Sequence, residues 1–497
     1  MTNNWSKAIR LVVAYTTFFL TTPFLISPTL AQENLGINND NYAPTESRNL
    51  NPSSIVDSKT WLDIRLVGAN AYARNNFVYL TNWRPFNFGA APTYAFDTTR
   101  SRNWAYGDFE AKGPAFTLNI GKNAIGLHTA VRSSVSARRL NGELGRIGLR
   151  QTVNTNDTTY RARNLRLKSM AWGEIGVSYA RILWQYDHKQ ISGGITVKRL
   201  LGFGAADFIL QRGDMVVQNE QGTVTNALGK YAYAQPGFRA GRGWGFDLGM
   251  TFKKTEESVM GYVPFSRSSD CQSCGYKYKL GVSLLDVGAI KFRTNALRAN
   301  FDENVNSEDY QALLEDGTAT DANIPRDATD FRASLPTALS VQFDYHVGNG
   351  LYLNGTVLQR ATPVSWFGAE RANLLGASAR FERKWFSAAL PVSLLDYTRP
   401  QVGLMLRMGP LVLGSDHILP FVFRKQVRGA DVYASLHIPF YRSPQCGNKG
   451  AGKPGKKPGY RRPANTSKGA RSKNKRSKNG GGGVRHPKGE TNDCPKW

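Results

Sequence analysis

The chain holds 497 residues, with 64 Lys and Arg against 37 Asp and Glu, for a net charge of +27. Beyond residue 31 no run of about 20 apolar residues occurs, which excludes a membrane-spanning helix. Its four cysteines and six histidines show no zinc-ligand spacing, so a metal centre is not expected.

At the N-terminus, Lys7 and Arg10 precede an uncharged apolar run over 11–25, and Thr29 and Ala31 put small residues at a cleavage spacing. That pattern predicts a signal peptide over 1–31 and a mature chain starting near Gln32. Pro23 breaks the run, which argues against a membrane anchor. Residues 32–56, rich in Asn, Asp, Ser and Pro, read as a short linker.

From 57 to 441 the chain alternates. Leu339, Val341, Phe343, Tyr345 and Val347 interleave with Ser340, Gln342, Asp344 and His346, and Phe246, Leu248, Met250 and Phe252 interleave with Asp247, Gly249, Thr251 and Lys253. Period two sends one set to each face of a strand. Strand-like segments fall at 61–68, 76–80, 116–120, 124–134, 174–183, 190–198, 245–253, 276–284, 287–292 and 338–347, and then at 351–359, 374–381, 388–395, 401–408, 418–423 and 432–440. The expectation is an all-β fold: a transmembrane antiparallel β-barrel of about 14 strands, within 12–16, followed by a disordered C-terminal tail.

Connections differ in length. Gly348-Asn349-Gly350 signals a tight hairpin, whereas 85–112, 143–168, 211–242 and 299–336 read as long connections. Short turns at the periplasm and long loops outside are the outer-membrane pattern. The stretch 302–330 carries nine carboxylates against Arg326, and 299–336 is the connection whose length would let it plug the barrel. The last strand presents Val432, Leu436, Ile438 and Phe440 on one face, as in the strand by which the outer-membrane insertion machinery recognises barrels.

Residues 442–497 form a separate unit. Its last 55 residues, 443–497, carry fifteen Lys and Arg against Glu490 and Asp493, with Gly, Pro, Ser and Asn between. Such a composition cannot bury enough apolar surface to offset chain entropy, so disorder is expected. Cys446 and Cys494 bracket it, and in an exported protein a disulfide between them is a candidate. The charge suits peptidoglycan carboxylates or another anionic periplasmic partner. Nucleic acid is disfavoured, since Tyr460 and Trp497 are too far apart for a stacking platform.

The run from Trp61 to Gly68, then Asn75-Asn76-Phe77-Val78-Tyr79-Leu80, Gly113-Pro114-Ala115-Phe116 and Gly173-Glu174-Ile175-Gly176-Val177, stand in that order. Tyr278-Lys279-Leu280-Gly281-Val282-Ser283-Leu284-Leu285-Asp286, Leu335-Pro336 and Gly414-Ser415-Asp416-His417 follow. With these motifs the chain resembles an uncharacterised family of Bacteroidota-type outer-membrane barrels, distantly similar to the long-chain fatty acid transporter barrel. The likeness covers about 57–440 and implies a fold, not an activity. Some relatives look as if they continue into a peptidoglycan-binding domain, where this chain has its basic tail.

Catalytic constellations are sparse. Ser415, Asp416 and His417 are neighbours, but consecutive strand residues point to opposite faces, so they do not make a relay. Neither catalytic residues nor cofactors are expected. If apolar residues face lipid, then Glu174, Thr196, Lys198, Asp247, Lys253, Lys277, Lys279, Gln342, Asp344 and His346 face or approach the lumen. The sequence therefore predicts an outer-membrane barrel in contact with lipid, acting as a porin-like channel for a small or amphipathic solute. The alternative is a structural anchor whose periplasmic tail binds peptidoglycan or a secretion or motility complex.

Overall fold

A computed structural model of the protein describes residues 33–81, 93–97, 102–140, 158–218, 221–266, 273–306, 330–363, 365–422 and 427–444. Strand β1 (Leu62–Asn75) is followed by a separate hairpin of β2 (Val78–Thr81) and β3 (Thr93–Phe96). Then come β4 (Asn103–Ile120), β5 (Asn123–Leu140), β6 (Thr158–Tyr186), β7 (Lys189–Gln218), β8 (Gln221–Ala234), β9 (Gly241–Lys254) and β10 (Tyr278–Phe292). After β11 (Ala296–Asn306) and β12 (Phe331–Ser334) the chain forms β13 (Ala338–Gly348), β14 (Leu351–Arg360), β15 (Leu374–Glu382) and β16 (Phe386–Leu395). It ends in β17 (Arg399–Val402), β18 (Leu404–Met408), β19 (Leu411–Ser415) and β20 (Gly429–Phe440).

These strands close into a 14-strand antiparallel barrel, in which β17 and β18 form one wall strand interrupted at Gly403. Closure is made by β20 on β1, with Phe440 opposite Leu62 and Ile438 opposite Ile64. Val432, Leu436, Ile438 and Phe440 lie on the outward row of that closing strand, while Tyr433, Ser435 and His437 are buried on the inward one. Outside, Leu248, Met250, Val282, Leu339, Phe343, Ile175 and Val177 are exposed, forming the apolar belt that lipid would cover. Trp184, Tyr186, Trp385 and Phe440 sit exposed at the short-turn end, where an aromatic girdle is expected.

Four departures from the sequence reading share physical causes. Segments read as long connections are partly strand: β4 begins at Asn103, β6 at Thr158, β8 fills 221–234 and β11 spans 296–306. A span needs about 9–11 residues, yet β6 and β7 run for 29 and 30. Outside the membrane neither face must be apolar, so backbone pairing persists where the alternating signal fades. The segments 276–284 and 287–292 are one strand, β10, carrying a register shift between Leu284 and Val287. At 418–423 a short helical turn, Leu419–Val422, replaces the expected strand. Finally, the 255–277 connection lies at the short-turn end, because Lys254 pairs with both Lys189 and Tyr278.

Candidate functional site: the plugged lumen

The segment read as a linker is the largest correction. Residues 33–60 turn into the barrel and are buried there almost throughout. They form helical turns at Leu35–Asn38 and Pro44–Ser47 and a 3-10 turn at Pro52–Asp57. Proline opens the second and third turns, where its missing N–H costs nothing, and Asn51 caps the third by accepting the Ser53 N–H at 3.0 Å. Such short turns do not stand alone in water, so the wall must hold them.

The wall holds them mainly with polar contacts. The Leu35 N–H donates to the Asp416 carboxylate at 2.7 Å, and Arg407 pairs with Asp40 at 3.2 Å. Asn41 donates to Glu382 and accepts from Lys279, each at 2.9 Å. Glu46 sits between Arg65 at 3.0 Å and Lys112 at 2.6 Å, and the neighbouring Thr45 hydroxyl donates to Asp63 at 2.5 Å. Asn51 donates to Gln342 at 3.1 Å. Asp57 ends the segment against Lys253 at 2.9 Å, Gln190 at 2.7 Å and Ser192 at 2.9 Å. Apolar anchors are fewer: Ile55 and Val56 pack on Ala124, Ala180 and Ile182, and Ile37 and Ala43 on Met405, Val412 and Tyr433.

Glycine makes room for this contact. Gly194 of β7 and Gly249 of β9 are paired neighbours under the Asn51–Ser53 turn. A Cβ at Gly249 would lie 2.1 Å from Asn51 Oδ1, and one at Gly194 would lie 2.5 Å from the Ser53 nitrogen. The wall is flat there because the plug occupies the space of the missing side chains.

Electrostatics fix the charge state of the central anchor. Burial alone pushes the Glu46 carboxyl up, but Lys112 and Arg65, with His437, outweigh it and hold it well below the usual carboxylate range. Glu46 therefore stays ionised while the plug is seated.

Toward the long-loop end a cavity of about 110 Å³ remains, lined by Glu33, Arg132, Glu174, Lys198, Asp247, Asp286 and Arg371 among others. Asp286 is its hub, accepting from Arg132 at 3.1 Å, Lys198 at 2.7 Å and Arg371 at 2.9 Å. The β10 register shift turns both Leu285 and Asp286 inward, and Asp286 has φ 52°, a left-handed conformation rare outside glycine. Residues 365–371, in the connection after β14, reach into the lumen as a ledge. There the Gly368 N–H donates to the Asp207 carboxylate, and Glu370 pairs with Lys168 at 3.0 Å and Arg360 at 3.2 Å.

The candidates for the lumen distribute over these contacts. Lys253 and Gln342 touch the plug directly, and Lys279 reaches it at Asn41. Glu174, Lys198 and Asp247 belong to the chamber, with Lys198–Asp247 at 2.8 Å and Glu174–His128 at 3.5 Å. Asp344 accepts from Arg380 at 2.8 Å, and the His346 ring stacks on Tyr352 with centroids 4.6 Å apart. Lys277 precedes β10, and its ammonium lies over the Tyr345 ring, 5.0 Å from the centroid.

Arg65, Lys112, Arg132, Arg380 and Arg407 were missed, although each stands at an inward position of an alternating strand. Of the 415–417 neighbours, Asp416 anchors the plug and the Ser415 hydroxyl accepts the His417 N–H at 3.1 Å. The Cys446–Cys494 pairing, the signal peptide, most of the acidic 302–330 stretch and the basic tail lie outside the described residues.

A family described as "Family of unknown function (DUF5723)" matches residues 52–416. The chain belongs to that family. Its match begins inside the plug, at the Pro52–Asp57 turn. Among solved structures the chain is similar to a FadL homologue from Pseudomonas aeruginosa at 11% identity, covering 83% of this chain and 96% of that one with a TM-score of 0.38. It is similar to the toluene transporter TbuX from Ralstonia pickettii at 10% identity, covering 80% and 93% with a TM-score of 0.37. The translocator domain of the autotransporter NalP from Neisseria meningitidis aligns at 6% identity over 80% and 96%, with a TM-score of 0.34. No curated protein matches the chain.

Proposed function

We propose that this outer-membrane barrel is a channel for a small or amphipathic solute, closed at rest by residues 33–60. The observation that carries the reading is the chemistry of the plug–wall contact. Buried ion pairs gain little over well-packed apolar groups, so a permanently solid barrel would be served as well by an apolar core. Here Arg65, Lys112, Lys253 and Arg407 are spent on a segment of the same chain. Polar contacts can be exchanged for water as the segment moves, each at a net cost of about 0.5–1.5 kcal/mol for a neutral pair and about 1.5–3 kcal/mol where a partner is charged.

Complete extrusion is a different matter. Leu35, Ile37, Leu50, Ile55 and Val56 are fully buried, and exposing five such side chains costs roughly 10 kcal/mol, about seven decades in population. Opening is therefore a partial rearrangement of the plug. Deleting residues 33–56 should convert a barrel of low conductance in planar bilayers into one with a large steady conductance. A folded deletion variant that stays as silent as the full chain would sink the channel reading.

The basic tail supports a second reading, in which the barrel tethers residues 443–497 to the cell wall. Phe440 lies at the short-turn end, the periplasmic end of outer-membrane barrels, and the tail follows it in sequence. Removing 443–497 should abolish co-sedimentation with purified peptidoglycan, and unchanged sedimentation counts against the tether.

A further inference from the structure

At the long-loop end, beyond the 365–371 ledge, lies a second cavity of about 850 Å³ whose chemistry is unlike that of the chamber below it. Six arginines, Arg102, Arg138, Arg139, Arg166, Arg360 and Arg399, line it together with Lys230, and no carboxylate lines it among the described residues. Among the described residues, two carboxylates pair with the arginines of this surface. Asp396 pairs with Arg138 at 3.0 Å and Arg399 at 2.8 Å, while Glu370 is shared by Arg360 at 3.2 Å and Arg166 at 3.7 Å. Seven lining cations against two carboxylates leave a strong positive excess. The chamber beneath, in contrast, is lined by seven carboxylates against three cations, Arg132, Lys198 and Arg371.

Two local features point the charge at the cavity. Asn103 pairs with Leu140 and Trp104 with Arg138, so Arg139 is the extra residue of a bulge, with φ 57°. Bulges re-aim side chains, and a left-handed arginine persists only where its surroundings impose it. Arg166 is buried, yet its Nε and Nη1 have no hydrogen-bond acceptor among the described residues. Buried donors are normally satisfied, and a guanidinium fork matches an oxyanion with two parallel bonds.

We infer that this mouth is a binding site for a small oxyanion carrying three or more negative charges, an oligophosphate or a polycarboxylate. A cleft lined by one sign of charge concentrates counter-ions of the other sign, and several guanidinium groups favour a multivalent ligand over a univalent one. The site lies on the outer side of the plug and binds whether or not its ligand crosses, so it stands apart from the channel reading.

Isothermal titration of the full-length, detergent-solubilised barrel tests it, with inorganic tripolyphosphate, citrate and benzoate as separate titrants. The expected result is saturable one-to-one binding of tripolyphosphate, citrate or both, which identifies the ligand class, and none of benzoate. Affinity should fall as salt is raised. Arg166→Gln should weaken binding tenfold or more, whereas Lys189→Gln, at the opposite end, should leave it unchanged. If Arg166→Gln prevents folding, Arg102→Gln with Arg139→Gln makes the same test, because both side chains are exposed. Absence of saturable binding by either multivalent anion, or variants that bind like the wild type, overturns the inference. A barrel that binds tripolyphosphate but never conducts overturns the channel instead.

Discussion

Glu46 is the residue on which the plug turns. Replacing it with Gln removes the counter-charge 3.0 Å from buried Arg65 and 2.6 Å from buried Lys112, and breaking a buried pair typically costs about 3–5 kcal/mol. That is comparable to burying two aliphatic side chains, so Glu46→Gln should raise conductance without dissolving the barrel, as judged by heat-modifiable gel mobility. The sign of the pH effect follows from its lowered pKa. A depressed carboxyl contributes stability that is whole above the ordinary carboxylate range, about 4, and lost as pH falls below it. Conductance should therefore stay flat from pH 8 to pH 5 and rise only in stronger acid. A rise between pH 7 and 6 would count against Glu46 as the group that holds the plug.

At the scale of elements, the Asn51–Ser53 turn and the β7–β9 wall form one fitted contact. Gly249→Ala puts a methyl group 2.1 Å from Asn51 Oδ1 and 2.9 Å from the Pro52 ring. The plug should shift while the barrel, whose strands keep their pairing, still folds. The readout is faster proteolysis within residues 33–60 at unchanged barrel mobility, and unaltered proteolysis would mean that the turn is not seated there. The same scale explains what period-two reading found and lost. It placed most membrane-crossing strands, because lipid on one side forces apolar residues to alternate with polar ones. It lost β8, β11 and the outer halves of β6 and β7, which pair in water where no face must be apolar.

Over the whole molecule the charge is layered. A paired network holds the plug, a chamber lined by an excess of carboxylates lies above it, and an excess of arginine lines the mouth. The basic tail adds a separate block of charge in sequence. By itself the sequence determined the wall: its strand period, its approximate strand number and the inward row of polar residues. Each follows from local alternation against a two-sided environment. Only the tertiary structure decided what the wall encloses. Residues 33–60 carry no apolar period, and a linker and a plug read alike until the wall residues that hold them, from Arg65 to Asp416, are brought together. The arginines of the mouth are likewise scattered from Arg102 to Arg399, and barrel closure is what makes them one site.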